Sequence, residues 1–180
     1  MQTMSATKTE QAELLFFREN KVAPNSHLPA LFYKKAFEEN NESLEDQMYS
    51  IFNNNKWNGT RKGRIRTGRY YHTASHEVIG ITKQAIFIEL GGFNGSRHIL
   101  EKGDVLILPA GVSIRLIKGA GHDVRRGFSA EPTENMQYAK ASYREKAKEA
   151  IACIPIPKTD PIYGRSGGLV DIWNNIFLKI

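Results

Sequence analysis

Within the stretch YYHTASHEVIG, residues 70 to 80, His72, His76 and Glu77 fall inside six positions. Imidazole and carboxylate side chains ligate divalent metals, and they also serve as general acids and bases. Tyr70 and Tyr71 come just before them. A phenol with a pKa near 10 is a poor ligand unless the metal ionises it. Two chemistries therefore stand open. One is a metal centre. The other is metal-free proton transfer, in which His72 removes a proton, Tyr70 returns one and Glu77 orients the imidazole.

Side chains alternate along an extended segment. His76 therefore points away from whichever face Glu77 occupies, and Tyr70 shares a face with His72. Carried backwards, the same rule places Gly68, Arg66 and Arg64 with His72, and Ile65, Thr67 and Arg69 on the other side. Two guanidinium groups beside a phenol and an imidazole suit a small anionic ligand, since guanidinium binds carboxylate and phosphate with a two-pronged fit. A bulge at Gly68 would reset the parity and leave both arginines in solvent. His98 and His122 join such a site only if the fold delivers them.

The elements that must position these residues are legible in outline. Leu44, Met48, Ile51 and Phe52 recur at helical spacing, with Ser43 as a cap and acidic residues in the first turn. Asn53 to Asn55 end that helix. AELLFFREN is a short amphipathic patch. In PNSHLPALFYKKAF, two prolines and the run Leu31, Phe32, Tyr33 predict an extended edge segment. From Arg64 to about Glu131, short runs such as EVIGI, QAIFIEL, DVLILPA and VRRGF are separated by glycine-containing turns, among them Asn94-Gly95. That texture predicts an antiparallel β body, sandwich or barrel. Tyr143, Ala147 and Ile151 form the stripe of a later helix. IPIPKTDPIYGRSGG should wrap the surface. LVDIWNNIFLKI, with Trp173 and Phe177 at helical spacing, is a short apolar helix or strand that docks back on the body.

Composition narrows the classes. Of 180 residues, 41% are hydrophobic and 24% charged, ordinary values for a globular domain. No apolar run approaches the roughly 20 residues of a membrane span. The polar start, MQTMSATKTEQAE, lacks the core of a secretory signal. The single cysteine, Cys153, fits a reducing cytosol, and its apolar neighbours predict a small buried residue. The net charge of +6 is partly local: RKGRIRTGR, residues 61 to 69, holds five basic side chains in nine positions. That run reads as a solvated strand or loop, because no RNA-binding motif or stacking platform accompanies it.

The β body resembles a cupin, the small jelly-roll barrel of the RmlC-like group. GDVLILPAG matches the glycine, spacer, proline and glycine of the second cupin motif at Gly103, Pro109 and Gly111. YYHTASHE matches the first, with His72 as its second histidine and Glu77 as its glutamate. HLPALFYK, SHEVIG and IPIPKTDPIYG are similar, more narrowly, to the YjlB-like bacterial cupins. In metal-binding cupins the two motifs supply three histidines and one glutamate to a single ion. Tyr70 stands where the first histidine belongs, Ile114 where the histidine of the second motif belongs, and Gln84 where the late glycine belongs. The resemblance therefore implies a degenerate metal site with vestigial positions Tyr70, His72, Glu77 and Ile114. No cofactor is expected, and a divalent metal at His72 and Glu77 is the residual case.

The expected fold is a mainly β, single-domain cupin jelly roll with a helix before the barrel and short helices after it. Residues 1–24 form an N-terminal segment and 25–180 the domain, with the barrel core at about 64–131 and a C-terminal extension at about 140–180. The expected function is small-molecule binding in the barrel by Arg64, Arg66, Tyr70, His72, Glu77 and Ile114. The alternatives are an epimerase-type enzyme using His72 and Tyr70, a metal-dependent oxygenase or isomerase with non-standard ligands, and a dimer-building module with a filled barrel. A cytoplasmic homodimer, without nucleic-acid or membrane partners, completes the expectation.

Overall fold

The computed structural model describes residues 11–130 and 135–176, without the side chains of residues 60–62. Eleven strands are found among the described residues: β1 Glu13–Phe17, β2 Ser26–Tyr33, β3 Asn58–Lys62, β4 Tyr70–His72, β5 Glu77–Ile81, β6 Ile86–Leu90, β7 Ser96–Leu100, β8 Val105–Leu108, β9 Ile114–Lys118, β10 Val124–Phe128 and β11 Met136–Tyr138. Helix α1, Leu44–Asn54, lies between β2 and β3, while α2, Arg144–Ala152, and α3, Gly168–Asn175, follow β11.

The pairing defines the architecture. β6 pairs with β7, β5 with β8, β4 with β9 and β3 with β10, all antiparallel. These nested pairs are one long hairpin, which wraps because β10 also pairs with β5 and β9 also pairs with β6. The product is a jelly roll. Its two sheets run β1-β2-β8-β5-β10-β3 and β11-β4-β9-β6-β7.

Period-two alternation sorts the side chains of the larger sheet. Phe32, Ile79, Ile81, Leu106 and Leu108 face the smaller sheet, where they meet Tyr70, Ile86, Ile88, Leu90 and Ile114. Their neighbours Leu31, Tyr33, Val78, Val105 and Ile107 face outward, under Met48 and Phe52 of α1 and Leu169 and Trp173 of α3. The larger sheet is thus buried on both sides, which explains unbroken apolar runs such as EVIGI.

α1 matches its sequence signals. The Ser43 hydroxyl accepts from the Asp46 N–H at 3.1 Å, and Glu45 and Asp46 occupy the first turn. Asp160, fully buried in the proline-rich segment, accepts from the backbone N–H groups of Ile162, Tyr163 and Leu169 and so fixes the start of α3. The Trp173 indole then donates to the Pro29 carbonyl at 3.0 Å. Phe177 lies outside the described residues.

Two expectations are corrected. The HLPALFY segment is not an edge: β2 pairs with β8 on one side and with β1, formed by the ELLFF of the amphipathic patch, on the other. Pro29 is tolerated because the β8 pairing begins only at Leu31 and β1 is irregular between Leu15 and Phe17. Cys153 is exposed rather than buried. It caps the C-terminal end of α2, whose one buried residue is Ala147.

Candidate functional site

His72 ends β4 in one sheet, and Glu77 starts β5 in the other. Both are buried, at 4% and 0% exposure, and both face the interior. His72 Nε2 lies 3.1 Å from Glu77 Oε2. A third residue joins them. Arg126, in the middle of β10 and only 8% exposed, donates from Nε to Glu77 Oε1 and places Nη2 3.2 Å from His72 Nε2. Its guanidinium also lies 5.2 Å from the Phe128 ring centroid, a cation–π contact. The three side chains form an ionic link between the two sheets.

Local structure makes room for it. Val124, Arg126 and Phe128 share one face of β10, so the arginine enters the interior between two apolar neighbours. A Cβ at Gly63 would collide with Arg126 Cδ, so that glycine leaves the space through which the side chain passes. Gly103 and Gly111 of the second motif have φ of 91°, in the left-handed region that favours glycine. Gly111 also lies against the Asn25 carbonyl too closely to admit a side chain.

Charges settle protonation. Burial alone raises the Glu77 pKa, but the charges of Arg126 and His72 outweigh it and hold the carboxyl at about 2. Tyr70 is pushed well above its usual range by burial and by the charge of Glu77, so its hydroxyl stays protonated. Its ring meets the His72 ring edge-on, with centroids 5.9 Å apart. Among the described residues, neither the Tyr70 hydroxyl nor His72 Nδ1 has a well-formed hydrogen-bond partner. Nε2 of His72 faces a donor and an acceptor at once. With Nε2 unprotonated it accepts from Arg126, and Glu77 Oε2 lies beside it at ion-pair distance.

The donor set does not fit a divalent ion. Tyr70 and Ile114 are register partners on β4 and β9, so a phenol and an aliphatic side chain stand side by side there and offer no nitrogen donor. The surviving His72 and Glu77 both engage a guanidinium. Among the described residues, no group of three or more histidine, cysteine, aspartate or glutamate side chains could hold a metal.

The remaining sequence candidates lie elsewhere. Arg64 and Arg66 are exposed, and Ile65 between them is buried in the interior core. The inward placement expected for both arginines is thereby corrected. The chain bends at Thr67 and Gly68, which resets the alternation before β4. His98 sits on β7 with its Nε2 2.6 Å from the Ser96 hydroxyl, and His122 is exposed beside Asp123. Arg126 escaped the sequence reading, although one signal was present: in VRRGF it holds the parity of Val and Phe on a strand, where a solvated arginine is out of place.

His76 points to the outer side of β5. Its Nδ1 accepts from the Ala110 N–H at 3.0 Å, its Nε2 lies 3.3 Å from the Pro155 carbonyl, and its ring packs on Trp173. It thus fixes the Pro109–Gly111 turn of the second motif as a neutral imidazole, its pKa lowered by burial to about 4. Between pH 6.5 and 4 the unfolded chain binds the proton that the folded chain refuses. Stability contributed by neutral His76 is therefore complete above about 6.5 and is lost as pH falls towards 4. Urea titrations at pH 7 and pH 4.5 should show a fall in stability that is smaller in His76→Gln by roughly 2–3 kcal/mol. An equal fall in both proteins would rule out this source.

Fold and site together describe a jelly roll whose interior carries an arginine–glutamate–histidine cluster. The chain is similar to the uncharacterized protein YjlB of Bacillus subtilis (strain 168), at 25% identity over 165 residues, covering 91% of this chain and 97% of that protein. Solved structures similar to it include the vicilins of Solanum melongena, at 19% identity, 57% of this chain and TM-score 0.34, and of Solanum lycopersicum, at 18%, 82% and 0.35. The chain spans 34% and 39% of those two vicilin chains. No family model matches. No helix among the described residues is long and apolar enough to cross a membrane.

Proposed function

We propose that this is a metal-independent small-molecule-binding protein of cupin type, in which the Arg126 guanidinium takes the seat that a divalent ion occupies in metal-binding cupins. The observation that carries the reading is the position of Arg126, between Glu77 and His72 in the interior. A guanidinium brings one positive charge and fixed N–H donors, and it has no open coordination position. Arg126 and Glu77 balance each other's charge, with the His72 imidazole beside them. A small carboxylate or phosphate ester would suit the guanidinium donors, and the protonated Tyr70 hydroxyl adds a further hydrogen-bond donor. The working form is a cytosolic homodimer.

The test has two parts. Elemental analysis of protein purified without added metal should give well under one ion per chain; about one per chain, lost on His72→Gln, would sink the metal-free reading. Thermal unfolding against a panel of carboxylated and phosphorylated metabolites should then reveal a stabilising compound, because a ligand of the native state raises apparent stability by mass action. The shift should vanish in His72→Gln. A shift that survives there, or none across the panel, would remove the interior as the ligand site.

One observation favours a second reading. Tyr70 and His72 lie edge to face on the same strand, with Glu77 behind the imidazole. That pairing could move a proton on a bound carbonyl compound. Deuterium uptake into the ligand, dependent on both His72 and Tyr70, tests it, and its absence with a binding ligand removes the enzyme reading.

A further inference from the structure

Outside the barrel, beside His76, a cleft of about 600 Å³ opens between the β1–β2 turn and α2. That volume falls in the range of metabolite pockets. One wall carries Phe17, Pro24 and Leu28, and the other carries Ile151 and Ile154. Phe17, Ile151 and Ile154 are only half-buried, so apolar surfaces face each other across solvent without packing.

The two walls are held differently. The β1–β2 turn is pinned: the Asn25 amide donates to the Arg18 and Gly91 carbonyls and accepts from the Ser113 N–H, while the Asn20 amide donates to the Gly91 carbonyl. α2 is tied more lightly, through buried Ala147, an Arg144 bond to the Asn20 carbonyl and a surface ion pair of Lys148 with Glu19 at 2.7 Å. The apolar stripe of this helix is thus only partly used by the fold, and its unused part faces the cleft. Among the described residues, Arg18 and Lys148 line the same opening against one acidic lining residue, Glu19, which Lys148 already engages, with Glu145 of α2 3.8 Å from Lys148 and itself paired with Arg144. The rim carries a positive excess over an apolar floor.

We propose that this cleft is a second ligand site, separate from the barrel interior, and that it takes a medium-chain organic carboxylate. The aliphatic tail lies between Phe17 and Ile151, and the head group meets Arg18 and Lys148. The apolar walls recognise the tail by the surface they withdraw from water. The basic rim selects a carboxylate over an alcohol of equal length.

Isothermal titration of the whole protein with decanoate, below its micellar concentration, tests the proposal. Saturable binding of about one decanoate per chain is expected, with decanol weaker by about tenfold and butyrate without measurable binding. Ala152→Trp, a change at an exposed residue lining the cleft, should fill the space and abolish binding without altering the melting temperature of the free protein. Arg18→Glu should weaken decanoate by about tenfold. His72→Gln should leave decanoate binding unchanged, which separates this site from the interior one. Absence of decanoate binding, equal affinity for decanol, insensitivity to Ala152→Trp or Arg18→Glu, or loss in His72→Gln would each overturn it.

Discussion

Replacing Arg126 by leucine should destabilise the protein by about 3–5 kcal/mol at pH 7, because it strands a fully buried carboxylate without its counter-charge. The melting temperature should fall by on the order of 10 °C. The pH dependence identifies the cause. In the parent protein Glu77 is held at about 2 against an ordinary 4.5, so the stability it contributes is complete above about pH 4.5 and is lost as pH falls towards 2. Without Arg126, burial dominates and the folded carboxyl becomes the weaker acid. The penalty of the variant should therefore be largest at neutral pH and should shrink towards pH 4, where the variant's Glu77 takes up a proton while the parent's, held at about 2, stays ionised. Adding Glu77→Gln to Arg126→Leu should recover most of the loss at pH 7, since a neutral pair replaces an orphaned charge. Urea titrations of the three proteins at pH 7 and pH 4 would decide the matter. If Arg126→Leu stays within about 1 kcal/mol of the parent at pH 7, the guanidinium is not what holds Glu77 ionised.

That dependence explains why the sequence disclosed the fold more readily than the site. α1 could be placed because its cap, first-turn charges and apolar spacing are all local to residues 43–55. The jelly-roll body could be read because short β-rich runs and turn glycines recur at a regular interval. The Arg126–Glu77 contact joins residues 49 positions apart. Nothing near Glu77 announces it, and VRRGF contains two adjacent arginines of which only one enters the interior. Its neighbour Arg125 turns outward to Glu45 of α1 at 2.9 Å and over the Tyr49 ring. Only the shared parity of Val124, Arg126 and Phe128 separates them.

Arg64 and Arg66 show the opposite case. Parity carried from His72 crosses Thr67 and Gly68, where the strand is not regular, and of the two placements the sequence left open the observed one is the reset at Gly68 that puts both arginines in solvent. Ile65 offered the correction, because an isoleucine flanked by arginines is the member of the triplet that a core accepts. The interior keeps a guanidinium, but it comes from β10 and not from the segment before β4. On the proposed reading a guanidinium stands where a divalent ion would: a fixed monovalent charge in place of an exchangeable one, and hydrogen bonding in place of Lewis-acid activation.

The substitution should be reversible. Tyr70→His, Ile114→His and Arg126→Ala together are expected to create a zinc site holding about one ion per chain, measured by elemental analysis after dialysis. Tyr70 and Ile114 are direct register partners, so histidines there would have Cβ atoms roughly 5 Å apart on the inner face. His72 lies two residues beyond Tyr70 on that face, and Glu77 reaches its Nε2 from the opposite sheet at 3.1 Å. Removing Arg126 vacates the volume and frees the Glu77 carboxylate to pair with a metal. The double variant that keeps Arg126 should stay largely unloaded, because a resident guanidinium repels a second cation and occupies both surviving ligands. Equal zinc in the double and triple variants would mean that Arg126 does not sit where the ion must go. A folded triple variant that takes up no zinc would mean that the four positions do not converge, and the replacement of ion by guanidinium would fail with it.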